Sequence, residues 1–187
     1  MVPTSQSNLI AAPLSSVDVD DGLVMMFKFL TSLWPIGGGV TVFYAQENGV
    51  ALPPDPCIMI NTVHTKRLEQ NVHTFPSDGT KTITQQSEVS IQLDFFGSGA
   101  QSRMAQFVTL WRDSYACDWF KAANLPVSPL YATERRQVQF INESDNFEQR
   151  WTVEALLQTS QSVTLSVETA INPGTFNLIE VDAGQTI

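Results

Sequence analysis

Two hydrophobic periods run along this chain, and they divide it into helical and extended stretches. A period near 3.6 sets in at Leu23, Phe27, Leu30 and Trp34, with Met26 and Leu33 widening the stripe, and predicts a helix that buries one face. Asp18 or Asp20 can cap its start by accepting backbone N–H bonds, and Pro35 with Gly37-Gly38-Gly39 ends it. Residues 1–16 are small, polar or broken by proline, which predicts a flexible N-terminal arm. The triple glycine follows no strand and lacks a Gly-x-x-x-x-Gly-Lys frame, so it reads as a helix-to-strand linker and not as a phosphate loop.

Beyond the glycines the period falls to two. Val40 to Ala45 predicts a short strand, and Leu52-Pro53-Pro54-Asp55-Pro56 is a loop that delivers the chain into a longer strand starting at Cys57. That strand runs to about Gln70, and a second runs from about Thr80 to Phe96 after a polar link containing Pro76 and Asp78-Gly79. In the second, Val89, Ile91, Leu93 and Phe95 alternate with Ser90, Gln92 and Asp94, so one face is buried and one is wet. Toward the link the alternation fades. Residues 60–86 therefore read as a long protruding hairpin, with Thr62 to Arg67 facing Thr80 to Gln86 and little to offer a core. Such a hairpin is marginal alone in water and suits a contact with another subunit, for which Lys66, Arg67 and Lys81 are the candidate residues.

Helical spacing returns after Phe96-Gly97. From Ala100 to Asn124 it places Met104, Phe107, Val108, Trp111, Tyr115 and Trp119 on one side and Ser102, Gln106, Thr109 and Asp113 on the other. At this spacing an aromatic stripe is core and not a cofactor pocket or base-stacking platform. Leu125-Pro126-Val127-Ser128-Pro129 ends the helix, and strands over 135–142, 147–159 and 162–169 follow as an antiparallel meander. Within the middle strand Trp151, Val153, Ala155 and Leu157 alternate with polar neighbours. Residues 172–187 carry apolar side chains without a period and read as a tail that docks elsewhere. The expected fold is a single α+β domain over 1–187: an antiparallel or mixed sheet, two main helices packed on it, and the protruding hairpin.

Composition narrows the function. A chain of 187 residues with 43% hydrophobic and 16% charged residues can bury one ordinary core. Its net charge of −9 argues against wrapping nucleic acid, which needs clustered Lys and Arg. Cys57 and Cys117 lie sixty positions apart with no metal-binding spacing and read as small hydrophobes. No apolar run reaches membrane-spanning length, and Met1 to Ser7 lacks a signal peptide's basic start, so a protein made and kept in a cytoplasm is expected.

Catalytic chemistry finds little support. There is no Gly-x-Ser-x-Gly elbow, and the two histidines, His64 and His73, sit in polar sequence without companion ligands. Glu143, Asp145 and Glu148 cluster in a turn where they could bind a divalent cation, yet they lack the ordered ligand pattern of a calcium loop and suit a solvated turn. Arg150 stands out because it opens a strand beside Trp151, where its planar fork can hold a carboxylate of that turn or of a neighbouring subunit. No catalytic, cofactor-binding or metal residue is assigned, and no cofactor is expected.

Three of these stretches together carry a resemblance. The strand ending Asp94-Phe95-Phe96-Gly97 with Ala100 and the following helix, then Phe140-Ile141-Asn142, then Phe147 and Arg150 opening a long strand, resemble the neck or tail terminator proteins of tailed bacteriophages. The resemblance runs from the first helix to about Thr169, although the arm and the tail match no part of the pattern. It implies a structural virion protein that forms a small ring, usually a hexamer. Such a ring caps the tail tube, joins it to the head connector, and lets DNA pass through its lumen unread. Acidic character suits that passage, since an acidic lumen repels phosphates. Another tail component, a tail-tube or baseplate subunit, is the alternative within the same setting. A small metal-dependent hydrolase built on Glu143, Asp145, Glu148 and Arg150 is the alternative outside it.

Overall fold

A computed structural model describes residues 19–46, 53–75, 80–124, 126–141 and 147–166. The expected N-terminal arm and C-terminal tail, and the acids Glu143 and Asp145, lie outside these residues. Helix α1 (Val19–Leu33) leads to strand β1 (Thr41–Tyr44) and then to β2 (Cys57–Arg67), β3 (Val72–Thr74) and β4 (Thr80–Phe96). Helices α2 (Ala100–Trp111) and α3 (Ser114–Ala122) come next, before β5 (Val127–Ala132), β6 (Arg136–Ile141) and β7 (Phe147–Ser166). The strands form one mixed sheet in the order β1-β2-β4-β7-β5, with β3 on β4 and β6 on β7. Only β1 and β2 run parallel; every other pairing is antiparallel.

The two periods place the core where the sequence puts it. Val89, Ile91, Leu93 and Phe95 of β4, with Val153, Ala155 and Leu157 of β7, are buried against the helices. On α1 the fully buried residues are Met26, Phe29 and Leu30, while Leu23, Phe27 and Trp34 flank the contact. The helical face is thus rotated slightly from the stripe that the sequence suggests. Phe29 is the hub of an aromatic cluster, with Trp111 and Trp119 ring centroids 5.5 and 5.3 Å away and edge-on to it, the geometry that ring quadrupoles favour.

Four expectations need correction. The helix expected from Ala100 to Asn124 breaks at Arg112-Asp113, where Asp113 leaves the helical region and its carboxylate accepts the Tyr115 N–H at 2.9 Å. This is an N-cap in mid-pattern. The break re-aims α3 so that Ala116 and Phe120 are buried and Tyr115 is 43% exposed, the reverse of a continuous stripe. The segment expected only to end that helix is itself strand β5, whose Pro129 sits opposite Leu157. A proline is tolerated there because β5 is an edge strand.

The strands expected at 147–159 and 162–169 are, as far as Ser166, one strand of 20 residues, and 167–169 lie outside the described residues. Ser160 and Gln161 are polar, but neither Gly nor Pro interrupts the chain, and β4 offers them Gln86 and Gln85 as partners. The hairpin also differs from its expected form. β2 pairs with β4 from Ile58↔Phe95 to Arg67↔Ser87, with a bulge between Thr62 and His64. Residues 80–86 instead lie next to β7 on one side, and next to β3 at Thr82 to Thr84 on the other. They belong to a multi-stranded sheet and not to an isolated two-stranded arm.

Candidate functional site

Partner residues across a ladder share a face, so β4 and β7 sort their side chains into two sets. The set opposite the helices carries a polar network at one end of the sheet. Asp94, 1% exposed, accepts from Arg150 Nε at 3.2 Å and Nη2 at 3.1 Å, from Gln92 Nε2 at 2.8 Å and from Thr152 Oγ1. The Arg150 guanidinium also lies 5.6 Å from the centroid of the Phe96 ring. The fork of Arg150 does hold a carboxylate, but that carboxylate comes from β4 and not from the acidic turn. Nearby, Ser90 Oγ donates to Glu154 Oε2 at 2.9 Å. Every acceptor of Asp94 is taken up by fixed donors, an arrangement that locks β4 to β7 and leaves no lone pair directed at a substrate.

A second cluster closes the same end. Gly97 has φ 79°, and a Cβ there would lie 2.7 Å from Asp55 Cγ, so only glycine allows the Asp55 loop to approach. Burial, with Glu148 close by, pushes the Asp55 carboxyl above its ordinary value. Burial and the Asp55 charge push the Cys57 thiol up to about 12, so it stays protonated and inert at neutral pH. Burial lowers the Arg103 guanidinium, whose Nη2 donates to the Phe96 carbonyl at 3.0 Å. Nothing in this cluster supplies an activated nucleophile.

At the other end β4 and β7 carry Thr, Ser and Gln on the face away from the helices, while Ile83, Val163 and Leu165 share the other face. Thr82 and Thr164 hydroxyls meet at 3.1 Å, Thr84 and Ser162 at 2.9 Å, and Gln158 Nε2 donates to Gln86 Oε1 at 2.9 Å. Three of the four residues singled out in the sequence lie along this half of the sheet. Arg67 holds the β2–β3 turn by donating to the Glu69 carbonyl at 2.8 Å and to Asn71 Oδ1 at 2.9 Å. Lys81 Nζ lies 5.5 Å from the centroid of the exposed Phe75 ring, and Lys66 is opposite Glu88 in the ladder. Arg150 is far from all three, since Lys81 and Phe96, its ladder partner, are about 50 Å apart along β4 at ~3.3 Å per residue. His64 and His73 fall on opposite faces of the sheet by register, so they do not converge. Among the described residues no group of His, Cys, Asp and Glu could hold a metal ion. Nor is any described helix long and apolar enough to cross a membrane.

Sequence reasoning missed one surface. The hairpin of β6 and the start of β7 exposes Val138, Ile141 and Phe147 at 39%, 54% and 74%, and Ile141 and Phe147 stand directly opposite each other. Exposed large apolar pairs on an edge hairpin mark contact surfaces. The signal was the apolar set Val138, Phe140 and Ile141, which a period-two reading assigns to an ordinary sheet.

A protein-family comparison matches residues 20–180 to the model of the phage neck terminator protein. The chain belongs to this family. No curated protein matches it. The neck terminator match spans every described element except the first residue of α1, so the resemblance carried by Asp94 to Gly97, Phe140 to Asn142 and Arg150 holds across the fold. A phage neck terminator is a structural virion protein. The geometry suits that assignment: the most tightly bonded charged residues, Asp94 and Arg150, bind each other.

Proposed function

We propose that this chain is the subunit of a ring, a hexamer on the family resemblance, that caps the tail tube of a phage and joins it to the head connector. DNA passes through the lumen without being read. The observation that carries the proposal is the neck terminator match over residues 20–180. Two others support it. Among the described residues the sheet ends in β1 on one lateral side and in β5 with β6 on the other, which suits a head-to-tail contact that closes on itself. The charge of −9 per copy lets a polyanion slide through a crowded lumen without adhering. Lys66 and Lys81, at the polar end of the sheet, are assigned to contacts with a neighbouring protein of the neck.

Light scattering on the purified chain, with negative-stain imaging, tests the proposal. Annular particles of about six subunits, formed alone or after addition of tail tubes, are the expected result. A chain that stays monomeric in both settings sinks it.

A further inference from the structure

The helices cover only part of the sheet face on which they lie. On β4 and β7 that face continues past Val89 and Leu157 into Ile83, Val163 and Leu165, with Ile83 opposite Val163 and Leu165 opposite Lys81. All three apolar side chains are half-buried, and none belongs to the core or packs against it. Beside them the Phe75 ring, 67% exposed, lies with its centroid 5.5 Å from Lys81 Nζ. An apolar strip thus runs on toward the far end of the sheet, beyond the residues that the helices bury.

The direction of α1 says which segment can reach that strip. Near its start, a Cβ on Gly22 would lie 3.6 Å from Leu157 Cδ1 and 3.7 Å from Thr159 Cγ2. Just past its end, Trp34 packs edge-on to Phe95 with ring centroids 6.2 Å apart. Leu157 is opposite Val89 in the ladder, so α1 runs along the sheet from the level of Val89 toward that of Phe95. Followed backward, it points along the same face toward residues 80–86. The distances agree. Ile83 lies about 20 Å before Val89 along β4. Gly22 to Val19 covers about 4.5 Å in helix, and Val19 to Leu14 covers about 17 Å in extended chain. Leu14 therefore comes level with Ile83 and Val163, and Leu9 and Ile10 have the reach for Leu165 and Phe75.

We propose that the N-terminal arm, residues 1–18, docks along this strip of its own subunit, with Leu14 seated on Ile83 and Val163. The composition of the arm suits the place: from Met1 to Val17 it carries no charged side chain, and Leu9, Ile10, Leu14 and Val17 are apolar. Seating them removes apolar surface from water on both partners. The C-terminal tail suits it less. Strand β7 runs past Leu165 to Ser166 and away from the strip, so the tail has to reverse before it can return, and it brings Glu168, Glu180 and Asp182 with it. The docking is internal to one copy and does not depend on the ring reading above.

The test uses the full chain and amide hydrogen exchange. Leu14→Asp should speed exchange of residues 80–86 ~10-fold or more, as loss of a leucine contact implies. Exchange of residues 89–96, held by the core, stays unchanged and shows that the variant is folded. Ile179→Asp, in the tail, leaves residues 80–86 unchanged. A second measurement places the arm: Leu14→Cys with Ile83→Cys, in a chain with Cys117→Ser to remove the exposed thiol, should oxidise to a disulfide within one chain, read on a non-reducing gel. Unchanged exchange in Leu14→Asp, or a disulfide that joins two chains, overturns the proposal. Faster exchange from Ile179→Asp and not from Leu14→Asp assigns the strip to the tail and overturns it as well.

Discussion

Strands β4 and β7 pair along their whole shared length, yet the two ends of that ladder are held by different forces. Near the helices Val89, Ile91, Leu93 and Phe95 are each 0% exposed, and each contributes about 1.5–3 kcal/mol of apolar burial. From Thr80 to Gln86 no side chain is buried, and the pairs Thr82–Thr164 and Thr84–Ser162 are bonded through hydroxyls instead. Such bonds add only about 0.5–1.5 kcal/mol each, because water competes for them. The difference teaches that strand length and core length are separate properties: backbone pairing extends well past the apolar core that stabilises it.

The sharpest way to break the comparison is Leu93→Ala, which should cost ~3–5 kcal/mol by denaturant unfolding, since a fully buried leucine leaves a cavity. Asp94→Ala should cost about 3 kcal/mol by stranding Arg150 and Thr152 at the same end. Gly97→Ala forces a Cβ toward Asp55 in left-handed backbone, with an expected loss of ~1–3 kcal/mol. At the polar end, Thr84→Val should change stability by less than ~1 kcal/mol. Amide hydrogen exchange should still find residues 80–86 opening before residues 89–96. A loss at Thr84 equal to that at Leu93 would mean that the polar end carries core-like stability after all.

The smallest effect sharpens the account of the closed end. Asp55 has its folded pKa raised, so the stability it provides is present below the ordinary value of 3.8 and is lost as pH rises through the folded value. Asp55→Asn, which cannot ionise, should therefore be more stable than the parent at neutral pH and show no advantage in strong acid. Thermal melts at the two pH values read the sign directly.

Much of this division was legible in the sequence. The alternation from Val89 to Phe95 located the buried face, and its fading toward Thr80 located the polar end. The polar end was not legible as sheet, because its stability comes from partners on β3 and β7 and not from its own pattern. The break at Asp113 was hidden by a periodicity that continues across it; only the capping preference of Asp pointed there. Strand β5 was concealed by Pro126 and Pro129, which signal a loop unless the strand lies at an edge. At the candidate site, Arg150 was picked out by its fork and position. Its partner Asp94 lies 56 positions away in sequence, and register alone brings them together. The exposed Ile141 and Phe147 could not be told from core residues, since periodicity gives a face but not whether anything covers it.

The 17 residues of β4, each paired with β7, have a mechanical consequence. Tension applied along these strands loads their hydrogen bonds in shear, so that many must fail at once over about 55 Å of contact. Tension applied across them would unzip the bonds one after another. The subunit is thus a stiff strut in one direction and a weak seam in the other, and its orientation within an assembly decides which of the two the load meets.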